Sequence, residues 1–190
     1  MSMQTTVEQV DGAVPVTVLA LEGELDASNF QELIDTVRRL YGEGTRQLII
    51  DLATYERSAD QVKITLDQLR AALFGSQPAV YALVAEAEDA LAGYALYFLN
   101  FSTWEGVHGI YLEDLYVQPE QRGSGLGKAL LTALAEIAVS RGYARVEWWV
   151  LDWNQPSIDF YRRLGAIPMD EWTVFRLTGD ALQHAAGGSL

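Results

Sequence analysis

A turn that is dense in glycine lies in the middle of the chain and offers a place for an anion. Leu112 to Val117 is predicted to be a buried strand, and three of the five residues from 123 to 127 are glycines. Leu126, Leu130 and Leu134 then recur at helical spacing, so the turn opens a helix. The first amide N–H groups of a helix lack an intrahelical acceptor, and glycines let the backbone approach a ligand closely. The sequence therefore predicts a phosphate-binding turn.

Spacing excludes two common nucleotide motifs at this turn. The dinucleotide motif G-x-G-x-x-G needs a third glycine where Lys128 stands. The P-loop needs a glycine at the position of Arg122 and a hydroxyl residue at the position of Ala129. What remains is Arg122-x-x-Gly125-x-Gly127, which by itself is compatible with a coenzyme site or with a purely structural turn.

The remaining pattern resembles the pyrophosphate-binding motif of the GNAT superfamily of N-acetyltransferases. A second motif, N-x-P-S-I-x-F-Y-x-x-x-G-A from Asn154 to Ala166, resembles the second coenzyme motif of that superfamily. From about residue 52 to 182 the chain is similar to the branch that contains spermidine/spermine and thialysine acetyltransferases. This similarity runs through Tyr55-Glu56, Phe98 to Trp104, and Tyr111 to Asp114. Several motifs in the right order are more specific than any one of them.

The resemblance implies an acetyl-coenzyme A-dependent N-acetyltransferase that acts on a primary amine of a small cationic substrate, such as a polyamine, a diamine or a lysine analogue. Direct transfer requires a neutral amine, a polarised thioester carbonyl and a proton for the departing thiolate. Tyr161 matches the family's general acid, and packing against Ile158 and Leu164 is the alternative role for this ring. The implied coenzyme-binding residues are Leu115, Tyr116, Val117, Arg122, Gly123, Ser124, Gly125, Leu126, Gly127, Lys128, Asn154, Ser157 and Tyr161. For Asn154, helix capping is the alternative.

The implied amine site depends on adjacent acids. Side chains of Glu113 and Asp114 face opposite sides of a regular strand, so at most one enters a cleft unless a bulge intervenes. We assign Glu113 as the general base, acting through water, and Asp114 to cation recognition. Ser102 stands where the polyamine enzymes carry an acid, so this position departs from the pattern of polyamine specificity. The other positions that match the amine pocket are Tyr55, Glu56 and Trp104.

Composition is consistent with one α/β unit. The chain has 190 residues, of which 49% are hydrophobic and 21% charged, so it can bury a core. Its net charge of −13 argues against nucleic acid as a partner and favours cationic small molecules, or simply keeps the protein soluble. It contains no cysteine, and the resemblance requires no metal. The absence of a long apolar run and of a signal peptide predicts a cytoplasmic protein with no membrane partner. The resemblance is also compatible with a homodimer.

The first fifty residues resemble a different family. Pro15 to Leu21 alternates as a strand, Ser28 and Gln31 form a capping box for a helix that ends near Gly42, and Arg46 to Leu52 favours another strand. With the run L-E-G-E-L-D, this β-α-β segment resembles the first half of a STAS domain, the fold of anti-sigma-factor antagonists.

The alternative reading of the same residues is helical. Leu52 to Glu56 also matches the end of the first GNAT helix, and propensity does not decide between strand and helix for residues 47–56. We therefore predict a natural fusion or an engineered chimera. The alternative function is a STAS-like interaction module with a catalytically silent GNAT half.

The elements that position the motifs follow from local patterns. We predict a mixed, largely antiparallel sheet flanked by helices, in three regions: a STAS-like segment 1–51, a GNAT-like region 52–182 and a flexible tail 183–190. The predicted elements of the middle and C-terminal regions are a helix at 65–74, an antiparallel meander of strands at 79–85, 91–101 and 109–117, a strand parallel to the meander at 144–151, and a last strand near 173–177.

Overall fold

The computed structural model of the protein describes residues 4–10, 16–22, 43–87 and 90–188. Within these residues, six strands form one sheet in the order β1 to β6. The strands are β1 (Gln4–Val10), β2 (Val16–Glu22), β3 (Tyr81–Ala87), β4 (Ala90–Ser102), β5 (Val107–Val117) and β6 (Val146–Glu147). The helices are α1 (Glu43–Tyr55), α2 (Leu66–Phe74), α3 (Leu126–Ser140), α4 (Gln155–Arg163) and α5 (Gly179–Ala186), with short 3₁₀ turns at Ala59–Gln61 and Pro119–Gln121.

The predicted meander is confirmed. β3, β4 and β5 pair antiparallel, and β6 pairs parallel with β5, so the sheet is mixed. The predicted parallel strand at 144–151 is reduced to the two residues of β6. The predicted strand near 173–177 is wrong, because that segment has no ladder partner among the described residues. Its apolar residues lack a neighbouring strand to cover them, and Phe175 is 91% exposed.

Residues 46–52 are helical rather than extended. They belong to α1, so the strand predicted there by the STAS resemblance is wrong and the GNAT-like helix reading is confirmed. Leu48 is 2% exposed and joins the core, and Leu52, one turn later, packs against the same cluster. Tertiary burial of this helical face outweighs the strand propensity of the β-branched Ile49 and Ile50.

The rest of the N-terminal prediction is only partly covered by the structure. β2 corresponds to the strand predicted at Pro15 to Leu21, and it pairs antiparallel with both β1 and β3. The predicted helix at 28–40 lies outside the described residues. The STAS-like character of the segment therefore stays a prediction.

The core that supports the site lies where α1 and α2 cover the sheet. Leu48 of α1 and Leu69 and Leu73 of α2 pack with Val84 and Tyr94 of the sheet. α2 begins as predicted, because the side chain of Thr65 accepts from the Gln68 amide while the Gln68 side chain accepts in return from the Thr65 amide. α3 is anchored by the buried side chains of Leu126, Leu130 and Leu134.

The chain divides into two units, residues 1–149 and 150–190. The first contains the sheet with α1, α2 and α3, and the second contains α4 and α5. Because α5 extends to Ala186, the tail predicted to be flexible from residue 183 is helical at its start. No helix in the described part of the chain has the length and apolarity needed to cross a bilayer.

Candidate active site

A β-bulge lies at the pair of acids on β5. Asp114 is the partner of Leu96 and Leu112 is the partner of Tyr97, so Glu113 is an extra residue without its own partner on β4. Such an insertion disrupts the alternation of side chains and turns neighbouring residues toward the same side. Because of this bulge, the side chains of Glu113 and Asp114 can both face one cleft.

The two acids lie in different environments. Glu113 is exposed, whereas Asp114 is half-buried and accepts a hydrogen bond at Oδ2 from the hydroxyl of Tyr94, at 3.0 Å. Burial raises the pKa of Asp114 to about 6; the negative charges of Glu113 and Glu56 raise it as well, and the hydrogen bond from Tyr94 opposes them. The carboxyl of Asp114 therefore changes protonation close to neutral pH, where a proton acceptor is most useful.

Glu56 is the third acid of this cluster. It follows the last residue of α1, is half-buried, and burial raises its pKa. The helix it follows, α1, contacts β4 and β5, and the negative charge of Glu56 raises the pKa of both Asp114 and Tyr94. We call Glu56, Glu113 and Asp114 the carboxylate cluster.

Trp104 does not join the carboxylate cluster. It lies in the turn between β4 and β5 and is 86% exposed. The turn starts after the pair formed by Ser102 and Val107, which is six residues along β4 from the Leu96 partner of Asp114, or about 20 Å at the usual rise of a strand. Ser102 serves that turn, because its hydroxyl accepts from the Glu105 amide at 3.2 Å.

The glycine-rich turn adopts a backbone that side chains disfavour. Gly123 has φ +83° and Gly125 has φ +100°, both in the left-handed region. Gly125 is the N-cap of α3 and brings no side chain to satisfy the first amides of the helix, so those amides are left for an external acceptor. Leu126 is buried and fixes the helix start, while Ser124 and Lys128 are exposed.

The side chain of Arg122 connects the glycine turn to β5 and to Tyr55 of α1. Its Nε donates to the carbonyl of Val117 at 3.0 Å. Its guanidinium carbon lies 4.9 Å from the ring centre of Tyr55 and 5.7 Å from that of Tyr116. Tyr55, which the resemblance implied for the amine pocket, therefore contacts the base of the coenzyme turn through cation–π attraction.

The resemblance assigns the C-terminal end of β5 to the pantetheine chain, and among the described residues no strand pairs with that end on the β6 side. β6 pairs with β5 only at Ile110 and Tyr111, within the described residues. Leu115, Tyr116 and Val117 lie beyond that ladder, and their neighbour on the other side is β4. An extended ligand can therefore take backbone hydrogen bonds along this open edge, as an added strand does.

The second unit carries the other motif on α4. The side-chain oxygen of Asn154 accepts a hydrogen bond from the Ser157 amide at 3.4 Å. This is helix capping, the alternative to a role for Asn154 in coenzyme binding. Asn154 is buried, whereas Tyr161 is half-buried with its ring centre 5.3 Å from that of Phe160. Pro156 stands in the first turn of the helix, a position where a missing N–H costs nothing.

The family is decided by comparison with known proteins. The model of the acetyltransferase (GNAT) family matches residues 43–166. The chain belongs to the GNAT family. It is an acetyl-coenzyme A-dependent amine N-acetyltransferase, and the matched range includes both the glycine turn and the motif on α4.

Among its relatives, this GNAT chain is 43% identical to thialysine N-epsilon-acetyltransferase of Bos taurus over 152 residues, which are 74% of this chain and 89% of the bovine protein. It is 47% identical to the L-ornithine N5-acetyltransferase of Arabidopsis thaliana over 93 residues, or 49% of this chain and 41% of that protein. An integron cassette protein from the mobile metagenome of V. cholerae is similar in structure, with a TM-score of 0.61 and 27% identity over 72% of this chain and 86% of the other.

The GNAT donor side fits a coenzyme A diphosphate by its own geometry. The positive φ of the two turn glycines, the helix start without a side-chain cap and the open strand edge all present backbone donors to an extended anionic ligand.

Sequence reasoning missed the Tyr94 contact, because a diagonal contact between strands gives no pattern within either strand. The contact becomes predictable only once the register of β4 on β5 is known.

Proposed function

We propose that this enzyme acetylates the primary amine of a small cationic substrate, with a lysine analogue or a diamine preferred to a polyamine. The observation that carries the proposal is the carboxylate cluster beside the bulge, since three acids from two elements can attract and orient a cation. The position of Ser102 at a distant turn, where it satisfies a backbone amide, supports the preference for a shorter amine. The names of the relatives, which specify thialysine and ornithine, support it as well.

The structure supports an exchange of the two roles that the sequence assigned. Asp114 is the better proton acceptor, because its pKa of about 6 lies closer to neutrality than that of an ordinary aspartate. The exposed Glu113 is better placed to meet the incoming cation at the rim. Glu56 contributes negative charge from the end of α1.

Acetyl-coenzyme A supplies an acetyl group activated as a thioester. In the proposed mechanism Asp114 takes a proton from the acceptor amine, which frees the nitrogen lone pair for attack. Amides along Leu115 to Val117 polarise the acetyl carbonyl, and amides of the glycine turn hold the diphosphate. The hydroxyl of Tyr161 gives a proton to the thiolate that departs, and the second proton lost by the amine nitrogen returns through water to the oxygen of Tyr161. This assignment of Tyr161 is supported by the motif on α4.

The test of the proposed function is a thiol-release assay with acetyl-coenzyme A and a panel of thialysine, lysine, ornithine, putrescine and spermidine. We expect kcat/KM for thialysine or ornithine to exceed that for spermidine by about tenfold, a difference of roughly 1.4 kcal/mol. Tyr161→Phe is expected to lower kcat by about 100-fold, the usual contribution of a general acid. Tyr143→Phe is the matched control, since it removes a phenol hydroxyl elsewhere on the chain. Release of no thiol with any amine of the panel contradicts the proposed function, whether or not the protein binds coenzyme A.

A further inference from the structure

A buried tyrosine in the sheet contacts the carboxylate cluster and has no role in the chemistry so far. Tyr94 of β4 is 0% exposed and belongs to the core cluster with Leu48, Leu69 and Val84. Buried hydroxyls are ordinarily hydrogen-bonded, and the partner here is the Asp114 carboxylate. A residue of the core therefore makes a polar contact with the carboxylate cluster.

The register of the sheet fixes this contact. Tyr94 is the partner of Tyr116, and Asp114 is the partner of Leu96, so Tyr94 and Asp114 are diagonal neighbours across β4 and β5. A diagonal pair is within reach of a long side chain such as tyrosine. The packed ring cannot move without disturbing the core, and its hydroxyl binds Oδ2 of Asp114 at 3.0 Å. Because Tyr94 holds Oδ2, the orientation of Oδ1 on the same carboxylate is fixed as well.

We propose that Tyr94 is a positioning residue, which fixes the Asp114 carboxylate so that Oδ1 receives the proton of the acceptor amine. This inference rests on the proposed function, in which Asp114 is the proton acceptor. In the step that Tyr94 supports, an N–H bond of the amine breaks and an O–H bond forms at Oδ1. The nitrogen lone pair forms the bond to the acetyl carbon, the carbon–sulfur bond breaks, and the thiolate receives its proton from Tyr161. The nitrogen then loses its second proton, which returns through water to the oxygen of Tyr161.

The surroundings of Asp114 give this contact a measurable consequence. Glu113 on the same strand and Glu56 after α1 raise the pKa of Asp114, in addition to burial, while the hydrogen bond from Tyr94 lowers it. Removal of the hydroxyl therefore raises the pH at which Asp114 loses its proton. A tyrosine that only fills space changes stability without changing that pH.

The test compares Tyr94→Phe with the wild type over pH 5 to 9. We expect the acidic limb of kcat/KM for the amine to move up by about one pH unit, because a hydrogen bond to a charged group contributes about 1.5 kcal/mol. KM for acetyl-coenzyme A should stay the same. In the protein without substrates, the titration midpoint of the Asp114 side-chain carbon, followed by NMR with labelled aspartate, should move in the same direction.

The matched control is Tyr97→Phe, which removes a buried phenol hydroxyl from the same strand. Tyr97 stacks on Tyr81 at 5.4 Å, and the titratable groups whose charge affects its pKa are Arg141, Tyr81 and Tyr143, so the acidic limb should stay in place. An unchanged limb and midpoint in Tyr94→Phe overturn the proposal, as does an equal change in both variants. An active wild type with an unmoved midpoint contradicts only the role of Tyr94, whereas a wild type that acetylates no amine contradicts the proposed function as well.

A second variant serves if Tyr94→Phe does not fold. Incorporation of 3-fluorotyrosine at position 94 keeps the ring and makes the hydroxyl a stronger donor. The acidic limb and the NMR midpoint should then move to lower pH. No movement, or movement to higher pH, overturns the proposal.

Discussion

The donor side and the acceptor side of the site are built from different parts of the chain. The donor side consists of backbone amides along the open edge of β5 and the glycine turn before α3. The acceptor side consists of the side chains of Glu56, Glu113 and Asp114, which come from two elements and meet at a bulge. A backbone site depends on φ and ψ, whereas a side-chain site depends on residue type and register. Substitutions should therefore separate the two sides.

The largest effect is expected from Asp114→Asn. The variant keeps the shape of the side chain but cannot accept a proton, so kcat/KM for the amine should fall by about 100- to 1,000-fold. Coenzyme binding, measured by calorimetry, should not change. The control is Glu113→Gln, whose effect should be about tenfold and mainly on KM for the amine. A larger loss in Glu113→Gln than in Asp114→Asn contradicts the division of roles.

The next effect concerns the backbone of the donor side. Gly123→Ala introduces a side chain at φ +83°, where the added Cβ meets no atom within 4 Å, so its cost is conformational, about 1 kcal/mol. We expect the turn to relax and the Kd for coenzyme A to rise by about tenfold. Gly142→Ala carries the same kind of strain, at φ +67°, beyond the other end of α3. It should lose similar thermal stability and bind coenzyme A normally; equal Kd values for the two variants contradict a backbone site.

A smaller effect is expected from Arg122→Lys. The charge remains, but the position of the guanidinium over the rings of Tyr55 and Tyr116 and the hydrogen bond from Nε to Val117 are lost. Since cation–π attraction at a partly exposed site contributes about 0.5–1 kcal/mol, KM for acetyl-coenzyme A should rise about three- to fivefold. Tyr55→Phe keeps the ring and serves as the control with nearly normal KM. A normal KM in Arg122→Lys indicates that only the charge of Arg122 matters.

A separate effect of Asp114 concerns stability rather than activity. The pKa of Asp114 is about 6 in the folded protein, above its ordinary 3.8, so between these values the folded state binds more protons than the unfolded state. The contribution of Asp114 to the free energy of unfolding is therefore largest below pH 4 and decreases as the pH rises to 6. Asp114→Asn removes this dependence, and urea unfolding at pH 4 and pH 7 should show a smaller loss for the variant than for the wild type. An equal loss in both proteins means that the folded-state pKa of Asp114 is not raised.

The difference between the two sides also explains what the sequence could predict. Glycines at Gly123, Gly125 and Gly127 have a direct meaning for the backbone, so the turn and α3 were predictable from spacing. The meander was predictable because its strands are apolar, adjacent and long. The sequence allows a bulge at Glu113 and Asp114 but does not reveal whether one is present, since register is a property of two strands together.

Two other segments show where local patterns fail. Residues 46–52 have strand propensity, yet burial of Leu48 against α2 and the sheet makes them helical. Residues 173–177 have an apolar pattern but find no strand to pair with among the described residues. Propensity describes what a segment can adopt, while its neighbours determine what it does adopt.

The two-residue ladder between β5 and β6 has a consequence for the range of acyl groups. The glycine turn and the β5 edge can bind the diphosphate and the pantetheine amides. Every coenzyme A thioester carries these groups. Neither the glycine turn nor the β5 edge discriminates between acyl chains of different length. Selection between acetyl and bulkier donors must then depend on groups other than these backbone donors. Donor range can therefore change through side-chain substitutions, without any change to the backbone donors that hold the coenzyme.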